Sequence, residues 1–336
     1  MFAPGDGDGR HLGGAAGGVP VPARRVRCHA RARPWYALVE LDGAFTLNPG
    51  DIVAGKYQII APLGVGGSGA VYRAQKVGMK LQVALKMMHA EHPDGDNERA
   101  RFAREAELVK RLQHPHIVRL MDYGHAEDGV PYLAFALLTG QPLEDKIKNE
   151  GPLDHNTIGR FSQQVLRALD RAHSLNVVHR DLKPANIFLS SGVLGEVVQM
   201  LDFGLAKMVH DAPGAMDVTR VGSVMGTPRY MAPEQVRGEQ VGPTADIYSF
   251  GLVMAEMLLG RPLVEGKKEI EIYVAQGSDR EHVLPALITQ SPFAAIVKRA
   301  VAKPLNVRYR QASQMLADVN AVVEALSGGQ QVMSEA

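Results

Sequence analysis

His179-Arg180-Asp181-Leu182-Lys183-Pro184-Ala185-Asn186 sets a carboxylate, an amine and a side-chain amide within eight residues. Phosphoryl transfer asks for little covalent chemistry. It needs a carboxylate to accept or orient a hydroxyl proton, oxygen ligands for a cation, and positive charge on the group in transit. Asp181, Asn186 and Lys183 are the residue types for those three tasks. His-Arg-Asp alone could be a surface turn, but the full octet is improbable by chance. Asn176-Val177-Val178, just before it, reads as a short strand.

Downstream, Leu201-Asp202-Phe203-Gly204 puts a carboxylate at the end of an apolar run, with a glycine to release the chain. The tripeptide Asp-Phe-Gly is common, and only its place after the octet makes Asp202 a metal-ligand candidate beside Asn186. Mg²⁺ favours a few carboxylate or amide oxygens plus substrate phosphates. The stretch Ser190 to Gln199 between the two motifs reads as a surface hairpin with an enlarged turn.

Upstream lies Gly64-Val65-Gly66-Gly67-Ser68-Gly69-Ala70-Val71, a G-x-G-x-x-G-x-V pattern. Glycines let backbone N–H groups approach phosphate oxygens that a Cβ would hold away. A dinucleotide fingerprint must run from a strand into a helix, whereas β-type residues follow here. Next, Lys86 closes the apolar strand Val83-Ala84-Leu85. A lysine that holds phosphates needs a carboxylate to orient it, and Arg104-Glu105-Ala106-Glu107 follows on a helix. Glu105 and Glu107 occupy different faces, so one of the two can point at the sheet. The paired His89 and His92 lack partners for a metal set and read as a solvated loop.

Around these motifs the texture changes along the chain. Residues 1–50, rich in Gly, Ala, Pro and Arg, cannot bury enough surface to offset ordering and read as a disordered arm. Its arginines could instead meet an acidic partner or serve as a transit sequence. Strand-like runs follow at Tyr57–Leu63, Ala70–Gln75 and Gln82–Met88, then a helix over Asn97–Gln113 with Phe102, Ala106, Leu108, Val109 and Leu112 at helical spacing. Two more strands are expected at Ile117–Tyr123 and Pro131–Leu137. Beyond Gly140 the pattern is mostly helical, at Leu143–Asn149, Thr157–Ser174, Ala245–Leu259, Phe293–Val301 and Ala312–Leu326, and 327–336 reads as a flexible tail. The fold class is α+β, a small antiparallel β lobe with one helix (57–138) before a larger helical lobe (139–326).

A net charge of +1 gives no footprint for nucleic acid. Cys28 stands alone, so no internal disulfide can form. No run of about 18 apolar residues predicts a membrane span, and the chain reads as cytoplasmic.

Residues 57–325 resemble eukaryotic-like (Hanks-type) serine/threonine protein kinases in their bacterial style, with Met231-Ala232-Pro233-Glu234-Gln235 closing the activation segment. The resemblance implies a two-lobed kinase domain over 51–326. It implies that Glu105 orients Lys86, that Glu234 pairs with Arg308, and that Asp246 holds the catalytic loop. It assigns ATP to Leu63, the loop Gly64–Val71, Ala84, Lys86, Phe135, Ala136, Leu138 and Phe188, with Mg²⁺, or Mn²⁺ in its stead, on Asn186 and Asp202. Val109, Leu120, His179 and Phe203 look like its stacked regulatory column. Ala136 stands where the family often has an acidic residue. Lys183 and Gly226-Thr227-Pro228-Arg229-Tyr230 resemble the branch acting on Ser and Thr of proteins, a copy of itself in trans included. Thr219, then Ser223, become candidates for autophosphorylation, with Arg180 placed to meet the phosphate. A pseudokinase scaffold is the rival reading, although Lys86, Asp181, Asn186 and Asp202 are all present. A small-molecule phosphotransferase leaves Ala232-Pro233-Glu234 unexplained.

Overall fold

The runs of β-branched and aromatic residues after Asp51 pair into one sheet in the computed structural model, which describes residues 47–66, 69–88, 96–192, 195–203 and 228–334. All of these lie in one unit of the chain. The strands are β1 (Ile52–Val53), β2 (Tyr57–Gly66), β3 (Gly69–Lys76) and β4 (Gln82–Met88). Helix α1 (Asp96–Arg111) follows, then β5 (Leu120–His125) and β6 (Pro131–Ala136). Their order is β1-β2-β3-β4-β6-β5, and every neighbour pair is antiparallel. Period-two alternation splits the side chains into two layers. Tyr57, Ile59, Tyr72, Val83, Leu85 and Tyr132 form one core. Leu63, Ala84, Leu133 and Phe135 form another with Phe102, Ala106 and Val109 of α1. Leu108, expected on that helix's apolar face, is exposed, because it neighbours Val109 in sequence and points about 100° away from it.

β7 (Gly140–Pro142) opens the larger lobe, followed by α2 (Leu143–Glu150) and α3 (His155–Ser174). A hairpin of β8 (Ile187–Gly192) and β9 (Gly195–Met200) completes a three-stranded sheet with β7. The helices α4 (Pro233–Val236), α5 (Pro243–Leu259), α6 (Glu269–Gly277), α7 (Ala286–Thr289), α8 (Ala294–Ala300) and α9 (Ala312–Ser334) come next. α3 starts where Asp154 accepts from the N–H of Thr157 at 2.9 Å. Helix α5 is buried from Ala245 to Leu259, charged Asp246 and Glu256 included. It begins on Pro243 and stops at Gly260 in the left-handed region (φ 71°).

Two expectations are corrected. Asn176-Val177-Val178 follows the end of α3, capping it, and is not a strand. Asn176 adopts φ 58°, its N–H donates to His173 O, and that of Val177 donates to Ala172 O. This is the Schellman pattern that satisfies a helix's last carbonyls. The C-terminal helix does not stop at Leu326, and residues 327–334, read as tail, continue it to Ser334. Among the described residues no helix is long and apolar enough to cross a membrane.

Candidate active site

Lys86 enters the cleft from β4, paired with Val71 of β3 on one side and Leu133 of β6 on the other. Its side chain is 5% exposed, and its Nζ lies 2.8 Å from Asp202 Oδ2. A buried ammonium needs such a partner. Asp202 is presented just beyond β9, where Val118 N donates to Met200 O and Leu201 N to Asn186 O. Its own φ of 57° is strained for a residue other than glycine. Of the two candidate carboxylates on α1, Glu107 faces outward, accepting from Tyr123 Oη at 3.3 Å and Arg111 Nε at 3.4 Å. Glu105 is half-buried, and Lys86 makes an ion pair with Asp202.

Asp181 is set by its neighbours in the octet. Lys183 Nζ lies 2.9 Å from its Oδ2, and Asn186 Nδ2 donates to the same oxygen at 3.1 Å and to the Asp181 carbonyl at 2.7 Å. Both side-chain bonds fall on Oδ2. His179 is buried. Its Nε2 donates to Leu201 O at 2.8 Å, its Nδ1 accepts from Asp181 N at 3.4 Å, and its ring lies 4.7 Å from that of Phe203.

Beneath the loop, buried Asp246 accepts from the backbone N–H of His179 (2.8 Å) and Arg180 (2.9 Å) and from His173 Nε2 (2.8 Å). Burial alone would raise its carboxyl, but the bond and charge of His173 and the His179 N–H outweigh it and hold it below the usual range. Arg180, held at φ 66°, is thereby fixed in a conformation it would not choose. Arg308, fully buried, grips Glu234 through Nη1 at 2.8 Å and Nη2 at 3.0 Å, and also donates to the carbonyls of Ala302 and Lys303.

The protein kinase domain family matches residues 57–315, the span that carries all of these groups. The chain belongs to the protein kinase family. It is 38% identical over 212 residues to the serine/threonine-protein kinase pkn3 of Myxococcus xanthus, covering 63% of this chain and 39% of that protein. It is 35% identical over 284 residues to a probable serine/threonine-protein kinase PknB of Bifidobacterium longum, covering 82% of this chain and 40% of the relative. The chain thus spans about two fifths of the length of these relatives. Among solved structures it is similar to the PknI kinase domain of Mycobacterium tuberculosis, with a TM-score of 0.64, 26% identity, and coverage of 83% of this chain and 99% of that one.

Kinases of this family use ATP and a divalent metal. Leu63, Ala84, Phe135 and Phe188 are buried together at the cleft, with Val71 and Leu138 packed against them. Ala70 is buried in the other core of the small lobe, with Val65 partly buried against it. Gly69, at φ 145°, passes so close to β4 that a Cβ would lie 2.0 Å from Met87 O. Ala136 N donates to Arg119 O at 3.0 Å. Gly64 and Gly66 lie in β2, while Gly67 and Ser68 fall outside the described residues, as do the 1–46 part of the arm, Gly204, Thr219, Ser223 and Thr227. A metal fits the donor set. Asp202 would contribute carboxylate oxygens and Asn186, its Nδ2 spent on Asp181, an amide oxygen. Among the described residues no group of three His, Cys, Asp or Glu is placed to hold a metal ion.

Sequence reading missed His173, Gln235 and Lys303. Gln235 had a signal, since a Gln three residues after a helix N-cap is the far half of a capping box.

Proposed function

We propose that this domain transfers the γ-phosphoryl group of ATP to Ser or Thr hydroxyls of proteins, with Mg²⁺ on Asp202 and Asn186. The observation that carries the reading is Asp181, whose Oδ2 is occupied by Lys183 and Asn186 while Oδ1 remains to orient or accept the substrate's hydroxyl proton. Lys86, once a nucleotide is present, exchanges part of its bond to Asp202 for the phosphates. Lys183 holds positive charge beside the acceptor. The metal, when bound, neutralises charge on the phosphates. Glu105 is the carboxylate we assign to Lys86. We place the domain in the cytoplasm, consistent with the chain's single cysteine, Cys28.

The test is transfer of radiolabelled phosphate to a generic basic protein with Mg²⁺, and with Mn²⁺ in parallel, against Lys86→Met. Label in the parent but not in the variant is expected. ATP binding with no transfer under any of these conditions would favour the pseudokinase scaffold. We further propose autophosphorylation at Thr219, then Ser223, with Arg180 as the phosphate's partner. Mass spectrometry after incubation with ATP, with Asp181→Asn as control, should find those sites modified in the parent alone. An unmodified loop in an active enzyme rejects the idea.

A further inference from the structure

The peptide joining Arg180 to Asp181 is held on both edges. Its N–H donates to His179 Nδ1 at 3.4 Å, and its carbonyl accepts from Gln235 Nε2 at 2.7 Å. Gln235 lies on α4, the helix that ends the activation segment and that Arg308 clamps through Glu234. The other end of the same amide, Oε1, accepts from Ala232 N at 3.0 Å, which closes the first turn of α4. Reversing the amide would set oxygen against the Arg180 carbonyl and N–H against N–H, so both contacts demand one orientation and one residue type. A glutamate can close the helix turn but cannot donate to Arg180.

We propose that Gln235 is a positioning residue that couples the settled end of the activation segment to Asp181. Asp246 restrains Arg180 from its N–H side, and Gln235 supplies the restraint on the carbonyl side, one bond from the catalytic residue's backbone. Without it the Arg180–Asp181 peptide is free to rotate out of its strained geometry, and Asp181 leaves the position in which it meets a hydroxyl. This rests on the phosphoryl-transfer reading above.

The discriminating variant is Gln235→Glu, which keeps the turn of α4 and removes the donor, with Gln235→Met removing both contacts. For Gln235→Glu we expect kcat to fall about tenfold or more, with KM for ATP and the affinity for a non-hydrolysable ATP analogue within about twofold of the parent. The thermal midpoint should stay close to that of the parent. Gln235→Met should show the same fall in kcat together with a lowered midpoint. A Gln235→Glu protein with the parent's kcat overturns the inference, as does a loss of kcat matched by a loss of nucleotide affinity or of the folded state. A parent that transfers no phosphate would instead overturn the kinase reading, so the two failures are distinct.

Discussion

The roles proposed for Asp181 and Lys86 differ, and their substitutions should fail differently. Asp181→Asn preserves the shape of the loop and removes the proton acceptor. Its kcat should drop by about 10²–10⁴-fold, with nucleotide affinity retained in an equilibrium binding assay. Lys86→Met should lose both transfer and affinity, since Met fills the buried channel without binding phosphate. His282 belongs to pH and stability. Burial and the nearby Lys303 charge push its imidazole down to about 4, beside Tyr248 Oη at 2.7 Å. Between pH 4 and the ordinary imidazole value near 6.5 the unfolded chain binds the proton and the folded chain does not, so stability falls as pH drops through that window. Thermal midpoints read from pH 7 to pH 4 should decline, and His282→Gln should flatten part of the decline. At this scale the sequence was legible wherever chemistry demands a residue type at a fixed spacing, as in the octet. It was opaque for the bonds of His173 to Asp246 and of Gln235 to Arg180, which join residues 73 and 55 positions apart.

Elements are positioned by what their side chains leave out as much as by what they bury. In α5, a Cβ on Gly251 would fall 2.6 Å from the Cβ of Ala300 at the end of α8 and 2.9 Å from Val301 Cγ1. Gly251→Ala should therefore force the two helices apart and cost about 1–3 kcal/mol, seen as a lower urea midpoint with an unchanged slope. α6 is gripped at its C-terminal end, where Lys303 Nζ donates to Ala275 O (2.9 Å) and Gln276 O (2.8 Å) and Arg237 Nε to Gly277 O (2.8 Å). Two cations on the last carbonyls of a helix complement its dipole. Periodicity found α3, α5 and the sheet, because each sets a repeating apolar face against a core. It passed over α4, α6 and α7, which are too short to show a repeating apolar face. Helix α1 was found with one face misread, since Leu108 fits helical spacing in a list yet projects into solvent.

Across the whole molecule, the Glu234–Arg308 pair and the Lys86–Asp202 pair do different work. The first is entirely buried, and Arg308→Ala should cost about 3–5 kcal/mol because it strands a carboxylate away from water. A large fall in thermal midpoint checks this. The second is partly open to solvent at Asp202 and spans the lobes, so its worth lies in placement. The two-lobed architecture was readable from the change of texture near Gly140, but the bond across the cleft was not, since the sequence pairs Lys86 more naturally with a carboxylate on the next helix. Its members stand 116 residues apart, a separation whose loop must close before the contact returns any energy. During synthesis, a chain that has emerged only through its small lobe carries its glycine loop and Lys86 but neither Asp181 nor Asp202. A ribosome-bound nascent chain is therefore catalytically silent toward ATP until the large lobe has followed.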